Sequence, residues 1–212
     1  GGAFGGNIST SGTLAVTGTS TLTGNVTAAG TLAVTGNSTF SGDIIKSTSG
    51  TSNFAAGVNA GNSIASGGNY NTVVGDEAGT AITTGDFNVF IGTYAGDAGA
   101  TISNNVGVGV GALGSDTNGN ASTAVGHSAL NAQNYGSGTT THNTAVGYQA
   151  GVAVTTGINN TLIGSGSGDA LSDADNNVAV GMGALTADTK GNRTTAVGTG
   201  ALKVQNFTSV TN

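Results

Sequence analysis

From Asn53 onward the chain repeats one short arrangement of polar and apolar positions, mostly every 17 residues. Its clearest copy is Asn143-Thr144-Ala145-Val146-Gly147-Tyr148-Gln149-Ala150-Gly151. The central glycine returns at Gly75, Gly92, Gly109, Gly126, Gly147, Gly164, Gly181 and Gly198, and only the step from Gly126 to Gly147 differs, at 21. A weaker first copy, Asn53-Phe54-Ala55-Ala56-Gly57, stands 18 residues before Gly75. Positions are counted below from this glycine. Position −1 is β-branched in all eight strong copies: Val74, Ile91, Val108, Val125, Val146, Ile163, Val180 and Val197. Position −3 is Thr or Val throughout, position +3 is Ala or Ser, and position −4 is mostly Asn. A fixed period of this length predicts a solenoid of stacked rungs. The −1 column is expected to face inward, each residue stacked on its equivalent in the next rung. The small +3 column predicts a tight corner or a close approach to another chain. The Asn column is expected to bridge successive turns through its amides.

Residues 1–42 keep a different rhythm. Glycines fall at Gly6, Gly12, Gly18, Gly24, Gly30, Gly36 and Gly42, with apolar residues two and four places after most of them, as in Leu14/Val16 and Leu32/Val34. That is strand alternation broken by a glycine at each corner. A single chain would make barely more than two triangular coils from these hexads, too little to enclose a core. Three intertwined chains sharing one axis would bury the same residues in a stalk on the order of 30 Å long. Residues 43–52 read as a junction.

The expected fold class is therefore all-β: a trimeric β-solenoid fibre. Residues 1–42 form an intertwined triple-stranded β-helix stalk, and residues 53–206 a parallel β-roll of 17-residue rungs. Within the roll, residues 71–134 align with 143–206 at an offset of 72, and 36 of 64 positions match. Four rungs plus a spacer (135–142) were duplicated, and 207–212 begin the spacer again. The spacer is expected to bulge outward, because the rungs on either side still need their ladder partners. Tyr135 and Phe207 then become candidate contact points for glycan or a neighbouring chain, the competing reading being that each ring folds back over the roll edge.

Composition narrows the partners. Forty glycines, no proline, tryptophan or cysteine, and only 7% charged residues are far from ordinary globular usage. The density of Val, Ile and Thr at regular positions argues against disorder. Net charge is −6 with four basic residues, so no basic footprint exists for nucleic acid. No apolar run reaches the length of a membrane span. Lack of cysteine excludes disulfides as the stabiliser.

Candidate chemistry is thin. His127 and His142 are the only histidines, and neither sits in a triad motif. The acids fall in turns, and aromatic platforms for sugar are sparse. Gly107-Val108-Gly109-Val110-Gly111 lacks the lysine of a phosphate loop. Oxygen ligands alternate in Asp173-Ala174-Asp175-Asn176-Asn177, which makes Asp173, Asp175 and Asn177 a calcium candidate. Asp116-Thr117-Asn118-Gly119-Asn120 alternates likewise. Ordinary Asp/Asn turn chemistry explains both segments as well. No catalytic residue and no cofactor is expected.

The phrase Asn-Thr-Ala-Val-Gly-x-x-Ala resembles the head repeats of trimeric autotransporter adhesins and the rungs of long bacteriophage tail fibres, over residues 53–206. The hexads, such as Gly-Thr-Leu-Ala-Val-Thr-Gly, are similar to phage fibre shafts. The resemblance implies rolls packed side by side in threes, although these rungs are longer than those of the adhesin heads. It implies a structural segment of a homotrimeric tail fibre, located on the virion and acting in host attachment. Its partners would be its own copies, other fibre or tail proteins, and a host-surface glycan or protein. The alternative is a bacterial surface adhesin whose roll binds a host or matrix ligand. A polysaccharide-cleaving tailspike is the third reading.

Overall fold

This computed structural model describes residues 48–207, so the hexad region, residues 43–47 of the junction and residues 208–212 lie outside the described part. The described residues form an all-β parallel solenoid of about eight turns with 17-residue rungs. Each strong copy of the repeat, and the weak first one, contributes one three-residue strand. In chain order these are β1 (Phe54–Ala56), β2 (Thr72–Val74), β3 (Val89–Ile91), β4 (Val106–Val108), β6 (Thr123–Val125), β8 (Thr144–Val146), β9 (Thr161–Ile163), β10 (Val178–Val180) and β11 (Thr195–Val197). They stack as one nine-stranded parallel sheet, each strand beside the next in the repeat. Two short strands, β5 (Gly119–Asn120) and β7 (Thr139–Thr140), pair in a second small sheet.

Register is one residue to its equivalent throughout, for example Val125↔Val146 and Val146↔Ile163. Thus Val125 and Val146 are ladder neighbours despite the spacer between them, as the outward-bulge argument requires. The sheet's backbone bonds continue past the strand ends, as in Gly92 N–H to Val74 O at 2.8 Å.

The −1 column does not face inward. A three-residue strand turns only its centre toward one side. Here that centre is position −2, buried in every strand, while −3 and −1 point out. Val73, Phe90, Ala124, Ala145, Leu162 and Ala179 are fully buried, whereas Ile91 is 40% and Val146 36% exposed. The expectation of an inward β-branched column is corrected accordingly.

The true core column varies in size, and in most rungs the variation is compensated within the rung. Where −2 is large, +4 is glycine: Val73 with Gly79, Phe90 with Gly96, Leu162 with Gly168. Where −2 is glycine or alanine, +4 is usually leucine: Gly107 with Leu113, Ala124 with Leu130, Ala179 with Leu185. A Cβ on Gly96 would stand 2.5 Å from the Phe90 ring. In the Ala145/Gly151 rung both positions are small, and Leu162 and Leu130 of the flanking rungs reach in. Constant total volume is what a close-packed interior demands. The +3 residues Ala60, Ala78, Ala95, Ala112, Ala129, Ala150 and Ala184 are fully buried at the corner of the chain's own core.

Two features hold the turns in place. The central glycines adopt φ between 122° and 140°. They stack so closely that a Cβ on Gly147 would lie 2.6 Å from the Gly164 carbonyl. The Asn column forms the ladder expected of it. Asn88 N–H donates to Asn71 Oδ1 (3.0 Å), and Asn88 Nδ2 donates to Ile102 O (2.8 Å). The same two bonds recur at Asn71, Asn160 and their equivalents. Each amide thus satisfies one donor and one acceptor that no strand could reach.

Candidate functional site: an outward ladder and a buried polar junction

The outward side of the sheet is uniform. Its two columns, −3 and −1, carry Thr, Val, Ile, Phe54 and Ala56, without a charged residue on any of the nine strands. With strands about 4.8 Å apart and about 3.3 Å per residue, this face is roughly 40 Å tall and 10 Å wide. Flanking columns extend it. On one corner Tyr70 and Phe87 at −5 are each 54% exposed and stack on each other, with ring centroids 5.0 Å apart. On the other, at +1, stand Val58, Val110, Tyr148 and Met182, all exposed, with His127 stacked on Tyr148 at 5.4 Å.

Beyond the Asn ladder, a second polar arrangement enters the interior, and it recurs. Position +7 runs Ile64, Ile82, Gly99, Asp116, Gln133, Val154, Leu171, Asp188, Gln205. Asp116 is fully buried. Its Oδ1 accepts the Gly119 N–H at 2.7 Å, and its Oδ2 accepts Gln133 Nε2 at 2.5 Å. Asp188 repeats this with Gly191 N–H (2.9 Å) and Gln205 Nε2 (3.1 Å). Burial pushes the Asp116 carboxyl above its ordinary range, partly opposed by the bonds from Gln133, Gly119 and Asn118.

Gln133 has a second task. The Asn ladder is interrupted at Ser122, whose side chain is too short to bridge. Gln133 Oε1 accepts from Ser122 Oγ (3.2 Å) and from Asn143 Nδ2 (2.9 Å), which spans the break. Ser122 Oγ also bonds Thr141 Oγ1. Sequence reasoning missed Gln133 because it lies in the stretch read as leading into a loop. The signal was present: Asp116 and Gln133 recur as Asp188 and Gln205 at the block offset of 72.

Tyr135 belongs to this junction. Its hydroxyl donates to Gly157 O and accepts from Asn143 Nδ2, and the ring is only 5% exposed. Burial raises its pKa well above the ordinary phenol value. The expectation that Tyr135 protrudes is corrected: a buried carbonyl and a buried amide offered the hydroxyl better partners than a surface position. Gly136 to Gly138, Thr140 and His142 of the spacer are exposed, as is Asn134 before it, while Thr139 and Thr140 rejoin the fold in β7. Phe207 is 37% exposed, below Tyr70, Phe87, Tyr94 and Tyr148. Its ring lies over Gly191, where a Cβ would meet it at 2.6 Å.

The calcium candidates are engaged separately. Asp173 accepts from Ser172 Oγ (2.9 Å) and faces Lys190 at 3.8 Å. Asp175 Oδ1 accepts the Ile158 N–H (2.8 Å), and Asn177 is buried within the amide ladder. Among the described residues no three His, Cys, Asp or Glu side chains are placed to share a metal ion. His127 and His142 are exposed at different corners of the rung. Asp97 and Asp169, equivalent in the two blocks, have carboxyls raised by partial burial, Glu77's charge adding to the effect at Asp97.

No protein-family profile, curated protein or solved structure matches this chain.

Proposed function

We propose that this chain is a structural segment of a homotrimeric phage tail fibre that acts in host attachment. The observation that supports the reading best is the unbroken nine-strand ladder, with its amide and glycine columns repeated rung after rung. Such a stack resists bending and extension at every turn, because each rung is bonded to both neighbours. Its value is mechanical: nine rungs span roughly 40 Å at about 4.8 Å each. On this reading the segment is part of the virion, holds other fibre or tail proteins at a distance, and brings the fibre to a host glycan or protein.

A bacterial trimeric surface adhesin is the second reading, and a particular observation favours it. The exposed Tyr70–Phe87 stack departs from the block repeat, where the matching residues are His142 and Asn159. Stacked rings at an exposed corner, which no packing inside the roll requires, suit a ligand-binding face.

Sedimentation and electron microscopy of the purified chain test the first reading. It expects particles of three-chain mass and elongated shape. A compact monomer at micromolar concentration rules it out. Retention on a host or matrix surface that is lost on Tyr70→Ser/Phe87→Ser would transfer support to the adhesin.

A further inference from the structure

The face most uniform in sequence is the one the fold leaves uncovered. We infer that the −3 and −1 columns of the nine-stranded sheet form the seam between copies of this chain, joined side by side with their rungs level. The inference rests on the trimeric reading above and specifies which residues carry it.

Four observations converge. First, the −1 column is β-branched and aliphatic in all eight strong rungs, though it is not in the core. Nothing inside the roll requires that uniformity; the buried −2 column ranges from glycine to phenylalanine. A constant requirement on an outward column points to a constant partner outside. Second, neither column carries a charge on any strand; the charges nearest to them are Asp76 and Arg193 on the corner columns, and Asp116, Asp173, Asp175, Asp188 and Lys190 lie elsewhere on the rung. Third, most exposed large apolar residues lie on this face and its two corners: Phe54, Ile91, Val146, Ile163 and Val197 on the sheet, Tyr70, Phe87, Tyr148 and Met182 beside it, with Tyr94, Leu202, Val204 and Phe207 elsewhere. Fourth, the size suits the role. The sheet face alone is on the order of 400 Å², already as large as the biggest apolar patch of an ordinary monomer. With its corner columns it approaches about 800 Å², the share each partner gives to a standard interface.

Opposite the two sheet columns the occupant must present a flat, uncharged, apolar strip with the same rise per rung along its whole height. A second copy of this chain does so without adjustment. Level rungs and a common axis direction make the contact head-to-tail around the axis, not self-paired. The −3 side of one copy, with its Thr hydroxyls and the Tyr70–Phe87 corner, therefore meets the −1 side of the next, with its Val/Ile column and Met182. Three such contacts close a ring, and the two columns are buried along the axis.

Sedimentation of the full chain and of Val146→Asp/Ile163→Asp tests this. The parent should sediment as three chains, and the variant as one, with its far-ultraviolet β signature retained. A control, Ser137→Asp in the exposed spacer, should stay trimeric. Should the double aspartate variant lose its fold, Val146→Thr/Ile163→Thr/Val180→Thr keeps β-branching and the strand. That variant should dissociate at a concentration about tenfold or more above the parent. A trimer undiminished in the aspartate variant, or in the threonine variant, overturns the seam while leaving the trimeric reading intact. A parent chain that is itself monomeric overturns both.

Discussion

The two faces of each strand obey different rules. On the inner face, position −2 ranges from Gly107 through Ala124 and Val73 to Phe90, and +4 answers these with leucine or glycine. On the outer face, −1 scarcely varies at all. Burial inside one rung demands a total volume, which several combinations satisfy. Contact with a regular partner demands the same shape at every height, which few combinations satisfy. Variability therefore marks the private interior of the roll, and constancy marks what we read as its shared surface.

The comparison breaks most sharply if a charge is placed on the inner face. Leu162→Asp puts a carboxylate where Leu162 is now fully buried, with no partner. The cost is several kcal/mol or local unfolding of β8 to β10. Circular dichroism should show lost β structure, and hydrogen exchange should rise across those rungs. The compensation rule is tested next. Phe90→Ala empties the largest core site and should cost about 3–5 kcal/mol in chemical denaturation. Phe90→Ala with Gly96→Leu rebuilds the Ala124/Leu130 type of rung. It should recover about 1–2 kcal/mol relative to the sum of the single changes. Strict additivity would show that −2 and +4 do not share one space. At the junction, Tyr135→Phe removes a buried hydroxyl from Gly157 O and Asn143 Nδ2. About 1 kcal/mol should be lost; an unchanged midpoint would mean the ring alone anchors the spacer.

The smallest expected effect is on pH. Asp97, Asp116 and Asp169 all have folded-state pKa values raised above the ordinary 3.8, chiefly by desolvation. Between the unfolded and the folded value the native chain holds more protons than the unfolded one. Stability is therefore greatest below the unfolded value and falls as pH rises through the raised folded ones. Denaturation midpoints should be higher at pH 4 than at pH 7, and Asp116→Asn should flatten the difference. A midpoint that falls on acidification would contradict the burial of these carboxyls.

Much of this was legible from spacing alone. The glycine period gave the rung, the Asn column the bridging ladder, and the 72-residue offset the place where Val125 and Val146 stay paired across the spacer. The facing of the strand was not legible, because alternation in a three-residue strand assigns −1 and −2 to opposite faces without saying which is inside. Uniform Val and Ile looked like core, and the real core hid behind its own compensation: Phe90, Gly107 and Ala124 share a column but no property. Gln133 was missed for another reason. A long amide just before a presumed loop has no periodic signature within one block, and only its recurrence as Gln205 reveals the buried pair with Asp116. The calcium candidates carried the reverse pattern, a regular spacing along the chain that ordinary turn chemistry explains as well. Asp173, Asp175 and Asn177 alternate along the chain, yet one faces Lys190, one holds a neighbouring rung, and one is buried in the ladder.

The contrast between the faces comes down to neighbouring residues of the same two strands. Val146→Asp and Leu162→Asp place the same charge one rung apart, the first on the outer face and the second on the inner. Sedimentation combined with circular dichroism separates them directly. Val146→Asp should keep its β signature and lose association, while Leu162→Asp should lose its fold. If Val146→Asp unfolds as Leu162→Asp does, or remains assembled like the parent, the outer ladder is not the seam.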